Sequence, residues 1–242
     1  MKTHVCNDNK VFPYLYIDDW YTPEEEKLIW TELDFYTNTS TLHRAEDDPT
    51  TGYHDDGSSR SQAWRVFCEG LYMNPESAHS ASHFLRLQKS KILSNKVKMA
   101  MEEAGPVFRM FGVTNQSTAM INYYENDDYY DAHTDAYMIS SFCWFYRTPK
   151  AFTGGDITFT DSGATTECKH NRMIVFPSYY MHSVDPIKMK EENLEMGLGR
   201  YSLVHFYMSM KKYFFNTTPS DTGPGIWNGS GGLENSTVYG VG

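Results

Sequence analysis

The chain has 242 residues, 40% of them hydrophobic and 15% aromatic, which is enough for one substantial core and excludes wholesale disorder. A formal charge of −10 argues against a duplex nucleic-acid partner, which asks for a basic footprint. No apolar run approaches the roughly 20 residues that span a bilayer, and the residues after Met1 turn polar at once, so a soluble cytoplasmic protein without a membrane partner is expected.

In chain order, residues 11–17 read as a first strand. Thr22-Pro23-Glu24-Glu25 then opens a helix: Thr22 caps free amides, Pro23 fits the first turn and Glu25 completes a capping box. Leu28, Ile29 and Leu33 are its expected buried stripe. Residues 43–61 are rich in Asp, Gly, Ser and Thr and read as a long loop, of the kind that often lines a cleft. A helix is expected over 82–104, stopped by Gly105-Pro106, with Lys89, Lys91, Lys96 and Lys98 on its solvated face.

From about residue 107 to 212, short aromatic and β-branched runs alternate with Gly and Asp turns, the pattern of a jelly roll. Residues 188–196 look like an inserted polar loop. Residues 216–242 form a Gly-, Ser- and Asn-rich tail, expected to be flexible, with Trp227 as its one anchor. The expected organisation is one domain over 1–215, with a helical preface to about 106. Cys6, Cys68, Cys143 and Cys168 are widely spaced and read as reduced thiols.

Within the β-rich half, His133-Thr134-Asp135 is followed by His182 and then by Arg200. Two imidazoles and one carboxylate with open coordination positions are the usual ligand set of non-haem Fe(II) oxygenases. On a strand, residues i and i+2 project from one face, so His133 and Asp135 can grip one metal. The run 172–177 reads as a buried strand ending in Pro177, which aims Ser178 to His182 at the end of the sheet. A planar guanidinium such as that of Arg200 suits a carboxylate, through two parallel charge-assisted hydrogen bonds.

An ordered series of motifs carries a resemblance. Phe12-Pro-Tyr-Leu-Tyr-Ile-Asp-Asp comes first, then Tyr123, His133-Thr-Asp135 and Gly154-Gly155-Asp156-Ile-Thr-Phe. Phe176-Pro-Ser-Tyr-Tyr-Met-His182-Ser-Val and Gly199-Arg200-Tyr-Ser-Leu complete it. In this order the motifs resemble the prolyl 4-hydroxylase-like branch of the Fe(II)/2-oxoglutarate-dependent dioxygenases, over about residues 12–208. The resemblance implies an α+β, mainly β fold: a double-stranded β-helix (cupin-like jelly roll) with N-terminal supporting helices.

It also implies Fe(II) held by His133, Asp135 and His182, with 2-oxoglutarate and O2 as co-substrates and ascorbate as a reductant. Arg200 matches the basic position that meets the far carboxylate of 2-oxoglutarate. Tyr146 and Tyr123 match positions that often contact the same co-substrate. The implied activity is hydroxylation of an unactivated C–H bond with release of succinate and CO2, first of all on a prolyl residue of a protein or peptide. A free amino acid or other small molecule is the alternative substrate.

Two departures are visible. The gap from His182 to Arg200 is longer than in many relatives, because of the 188–196 segment. The nucleic-acid demethylating branch typically carries a second arginine six residues after the first, where this chain has Phe206. Two other readings compete. A cupin-like protein binding Zn or Mn without oxygenase activity would use the same ligands but leave Arg200 and Gly154-Gly155 unexplained. A catalytically silent binding module would have no need of all three ligands.

Overall fold

Alternation between residues 116 and 208 resolves into two facing sheets in the computed structural model, which describes residues 1–38, 41–48, 51–71 and 81–210. The larger sheet has eight strands. In spatial order these are β1 (Lys2–Cys6), β2 (Tyr14–Asp18), β12 (Met173–Pro177), β8 (Ile139–Phe145), β15 (Arg200–Met208), β6 (Gln116–Tyr124), β5 (Trp64–Phe67) and β3 (His43–Arg44). The five-stranded sheet runs β11 (Ala164–Thr166), β10 (Ile157–Phe159), β13 (His182–Val184), β7 (Tyr129–His133) and β4 (Ser61–Gln62). A short pair, β14 (Lys188–Met189) with β9 (Phe152–Thr153), stands apart. The neighbours pair antiparallel, which gives the expected jelly-roll arrangement.

The period of two sorts side chains into two cores. Tyr201, Leu203 and Tyr207 of β15 join a core under the helices, with Leu15, Ile17, Ile121 and Val175. Val204 and Phe206 turn the other way, toward Phe142, Trp144, Phe159 and Phe176 between the sheets. The larger sheet is thus covered by helices on one face and by the smaller sheet on the other, and the cavity described below opens on the inter-sheet side.

Helix α1 (Pro23–Asn38) starts on the expected capping box: Glu25 N–H donates to Thr22 Oγ1 at 3.3 Å and Thr22 N–H to Glu25 Oε2 at 2.8 Å. Its buried stripe is Ile29, Glu32, Leu33 and Tyr36, a clean i, i+3, i+4, i+7 set. Leu28, expected in that stripe, falls one position off it and is 36% exposed. Glu32 is buried because its carboxylate caps the next helix, accepting from Phe84 N–H at 2.9 Å and Ser82 Oγ–H at 2.5 Å.

The single helix expected over 82–104 is two. α2 (His83–Ile92) ends at Leu93, and Ser94 is extended (φ −64, ψ 147) before α3 (Asn95–Ala104). Ser94 and Asn95 favour a helix start over a helix interior, which lets α3 turn Val97, Ala100, Met101 and Ala104 inward. Residues 106–113, expected to begin the β half, form a 3-10 stretch that buries Phe108 and Phe111 at the three-residue repeat. The first strand is also not residues 11–17 but β1, with β2 beginning only after Pro13.

Two loop expectations change character. The 43–61 segment contains β3, a 3-10 turn over Ala45–Asp47 and a bridge between Tyr53 and Ser59. The 188–196 segment docks on the turn at Asn126 and Asp127: Asp127 N–H donates to Ile187 O, and Met189 N–H to Asn126 Oδ1. The four cysteines are free. No helix among the described residues is long and apolar enough to cross a membrane. The tail 216–242, with Trp227, lies outside the described residues.

Glu69 ties the 3-10 turn Cys68–Leu71 to β6, accepting from Ala119 N–H and Thr118 Oγ–H at 3.1 Å. Burial pushes its carboxyl up to about 7 from an ordinary 4.5. The folded state therefore holds a proton that the unfolded chain releases between those two values. Glu69 contributes its full stability below the lower value and loses it as pH rises through the upper one. The loss across that window is on the order of 3 kcal/mol. Chemical denaturation at a series of pH values should show this slope in the native protein and a flatter profile in Glu69→Gln; equal slopes would refute the assignment.

Candidate metal centre and its cavity

His133 is the last residue of β7 and His182 the first of β13, and the two strands pair so that these residues stand directly opposite each other. Their ring centroids are 4.3 Å apart. Asp135 does not lie on a regular strand, as a strand-borne His-x-Asp would require: β7 ends at His133, and Asp135 sits in the following loop, held by its N–H on Ser178 O at 2.9 Å. The convergence still forms. Asp135 Oδ1 lies 3.5 Å from His133 Nε2, and Oδ2 lies 3.7 Å from His182 Nε2. Among the described residues these three are the one group of His, Cys, Asp and Glu side chains placed to hold a metal ion, their donor atoms within 4.8 Å of one another.

The backbone fixes which nitrogen faces the centre. His133 Nδ1 is 2.8 Å from Asp131 O, and His182 Nδ1 is 2.8 Å from Tyr180 O. A carbonyl oxygen only accepts, so both Nδ1 atoms carry hydrogen and both Nε2 atoms present lone pairs when the rings are neutral. His182 Nε2 is buried without any hydrogen-bond partner. Burial drives the His182 imidazole down to about 4, against the opposing pull of Asp135, and so keeps it unprotonated at neutral pH. Burial also works against the Asp135 anion, but positive charge on the facing His182 and His133 rings as they protonate, together with the Ser140 hydroxyl, outweighs it and holds this carboxyl below its ordinary value. Ser140 Oγ–H reaches Asp135 Oδ2 at 2.5 Å and lies 2.8 Å from Ser178 Oγ, which orients the carboxylate from behind. Two imidazole nitrogens and one carboxylate converging on a shared point fit a divalent transition metal.

A cavity of about 820 Å³ extends from this cluster across the inner face of the larger sheet to Tyr53 and Arg60 of the 43–61 segment. Aromatic rings wall it: Tyr130 stacks on His133 at 3.6 Å, and Tyr137 stacks on Phe206 at 4.4 Å. Arg200 is 1% exposed on the floor. Its Nη2 donates to Ser202 Oγ at 3.2 Å, while Nε and Nη1 are buried with no partner. Its Cζ lies 4.4 Å from the Tyr124 ring centroid, and among the described residues no carboxylate pairs with it. An unpaired buried guanidinium is costly unless an anion comes to it. Gly155 (φ +78) passes so close that a Cβ there would stand 2.9 Å from Arg200 Cδ. The Gly154-Gly155 turn therefore gives the arginine stem its room.

Tyr123 and Tyr146 are not brought into this group. Tyr123 faces the helix-side core, and its hydroxyl donates to Glu125 at 2.6 Å. Its neighbour Tyr124, which pairs with Arg200 across the ladder, takes the cavity wall instead. Tyr146 packs against Phe152 and His170 away from the cavity lining. Tyr124, Tyr130 and Ser140 escape sequence reasoning because their roles depend on cross-strand neighbours.

Residues 119–208 match the family model described as the 2OG-Fe(II) oxygenase superfamily. Among solved structures, a Pseudomonas putida prolyl-4-hydroxylase is similar at TM-score 0.54 and 15% identity, covering 85% of this chain and 97% of that one. A Trichoplax adhaerens prolyl hydroxylase, solved with a hypoxia inducible factor oxygen degradation domain peptide, is similar at TM-score 0.52 and 11% identity, covering 81% and 83%. No curated protein sequence matches the chain. At these identities the solved structures speak for the fold, and the family match, which spans the whole metal cluster and Arg200, speaks for the chemistry. Residues 119–208 are thus similar to the 2OG-Fe(II) oxygenase superfamily, within a chain that has a prolyl-hydroxylase-like fold.

Proposed function

We propose that His133, Asp135 and His182 hold the ferrous ion, that Arg200 takes the distal carboxylate of 2-oxoglutarate, and that the enzyme hydroxylates a prolyl residue of a protein or peptide. When bound, ferrous iron and 2-oxoglutarate supply oxidative decarboxylation coupled to oxygen activation, with succinate and CO2 released. The chain's own part is binding, orientation and exclusion of water. Asp131 O and Tyr180 O set the two imidazole tautomers, and Ser140 aims the carboxylate. Tyr130 and the phenyl rings beside His182 keep that side of the cluster dry.

The observation that carries this reading is the pairing of two orphaned polar groups in one cavity: His182 Nε2 and the Nε and Nη1 atoms of Arg200. One asks for a cation and the other for an anion, and a keto acid chelated to a metal answers both. The prolyl substrate is supported by the motif series and by the names of the two fold neighbours. We take residues 1–215 as one catalytic domain, because the helices cover the back of the sheet that carries the site.

The test needs no knowledge of substrate. Anaerobic addition of ferrous iron and 2-oxoglutarate should produce the weak visible charge-transfer band of the chelate; no band in correctly folded protein would reject the reading. Prolyl peptides can then be screened by mass spectrometry for a gain of one oxygen. A cupin-like Zn or Mn protein would take up metal and give no chelate band.

A further inference from the structure

The cavity contains a second buried arginine that the chemistry above leaves unused. Arg65 lies on β5, 3% exposed, and lines the cavity. The ladder places it opposite Asn122 of β6, and Asn122 stands opposite Ser202 of β15, two residues along from Arg200. Residues opposite each other on neighbouring strands share a face, and all four side chains line the same floor. Arg65 Nε is buried with no hydrogen-bond partner, and so is Asn122 Oδ1.

Its charge is weakly answered. Among the described residues the nearest carboxylate is Asp48, at 3.9 Å from Nη1, and that oxygen also lies 3.3 Å from His43 Nε2. On the cavity side the guanidinium meets Tyr130: Cζ is 5.9 Å from its ring centroid, the two side chains share a hydrogen bond that leaves Nε unpartnered, and Tyr130 in turn stacks on His133. Arg65 is therefore separated from the metal cluster by one ring. Tyr124 lies between the two arginines. Burial raises its hydroxyl above the ordinary value, and both Arg200 and Arg65 pull it back down.

A buried donor without a partner costs about 1–3 kcal/mol. 2-Oxoglutarate has two carboxylates: one belongs to the keto acid end at the metal and the other to Arg200. Nothing in that scheme reaches Arg65, yet the fold keeps a second guanidinium dry beside the reacting centre. We infer that Arg65, with Asn122, forms a second carboxylate subsite, and that the molecule hydroxylated carries a free carboxylate close to the oxidised carbon. This inference rests on the reading that Arg200 holds the co-substrate. It narrows the substrate to a carboxylate-bearing prolyl group, whether the carboxylate is a chain terminus, a neighbouring acidic side chain or that of the free imino acid.

The experiment uses enzyme loaded anaerobically with ferrous iron and 2-oxoglutarate. Three probes are titrated by calorimetry, each against its neutral amide: N-acetyl-L-proline, L-proline and an end-blocked Pro-Asp dipeptide (its partner being Pro-Asn). At least one acid should bind about ten- to hundredfold more tightly than its amide, the effect of one charge-assisted contact, and the acid that does so identifies the source of the carboxylate. In Arg65→Met that preference should vanish while the chelate band persists unchanged. Arg65→Lys should recover part of it. If every acid binds like its amide, or none binds, the inference is overturned without any variant being needed. It is equally overturned if Arg65→Met keeps the preference. Absence of the chelate band in the unmodified enzyme would instead remove the reading on which the inference rests, so the two failures are separable.

Discussion

Asp135→Ala should reduce iron-dependent 2-oxoglutarate turnover below detection, measured as succinate released during an iron titration. Asp135 is the single anion of the cluster, and both imidazoles approach it, at 3.5 Å from His133 and 3.7 Å from His182. Without it, two neutral nitrogens remain, and a divalent ion loses the one ligand that offsets its charge. Loss of an outer-shell partner alone typically costs about ten- to hundredfold in metal affinity or activity, so loss of the carboxylate itself should exceed that. Ser140→Ala, which removes only the 2.5 Å hydrogen bond behind Asp135, should fall within it. Stability supplies a second readout. A ligand that binds only the folded state raises its unfolding temperature, so ferrous iron should stabilise the native enzyme measurably and Asp135→Ala not at all. Normal turnover, or an unchanged stabilisation by iron, in the purified variant would dismiss the triad.

What could be read from the sequence divides along the line between local and cross-strand information. The capping box at Thr22 and Glu25 is a four-residue pattern and forms as written. The jelly roll follows from alternating runs and turns, and the metal cluster from residue types whose chemistry is unusual in combination. Tyr123 shows where local information ends. Whether it or Tyr124 faces the cavity depends on the register of β6 against β15, and one step reverses every side chain. Arg65 is illegible for the same reason, since only the pairing of β5 with β6 turns it inward beside Asn122. Glu32 sits in an acidic helix that reads as solvated. Its burial depends on the amide of Phe84 and the hydroxyl of Ser82, far along the chain. The split at Leu93 and Ser94 had a local cue, but the apolar spacing runs through it and masks the break.

Arg200→Met should raise the 2-oxoglutarate concentration needed for half-maximal turnover by about a hundredfold or more, while iron binding stays close to native. Arg200 has donors to spare, with Nε and Nη1 unpartnered and Nη2 bound only to Ser202, and losing two charge-assisted hydrogen bonds at about 1.5–3 kcal/mol each reaches that range. Arg200→Lys should fall between, because an ammonium is a point charge and cannot match a carboxylate with two parallel bonds. Gly155→Ala should act in the same direction without touching the guanidinium, since its Cβ would stand 2.9 Å from Arg200 Cδ and displace the stem. The stability of the ligand-free protein separates a binding arginine from a structural one. A structural arginine is paired, and removing it leaves a buried carboxylate uncompensated and the protein weaker. Arg200 has no carboxylate partner among the described residues, so replacing it with an apolar side chain of similar length removes a desolvated charge and should leave the unfolding temperature equal or higher. A lower unfolding temperature with an unchanged 2-oxoglutarate requirement would make Arg200 structural. The co-substrate's far carboxylate would then have to fall to Arg65, the other buried guanidinium on the same floor.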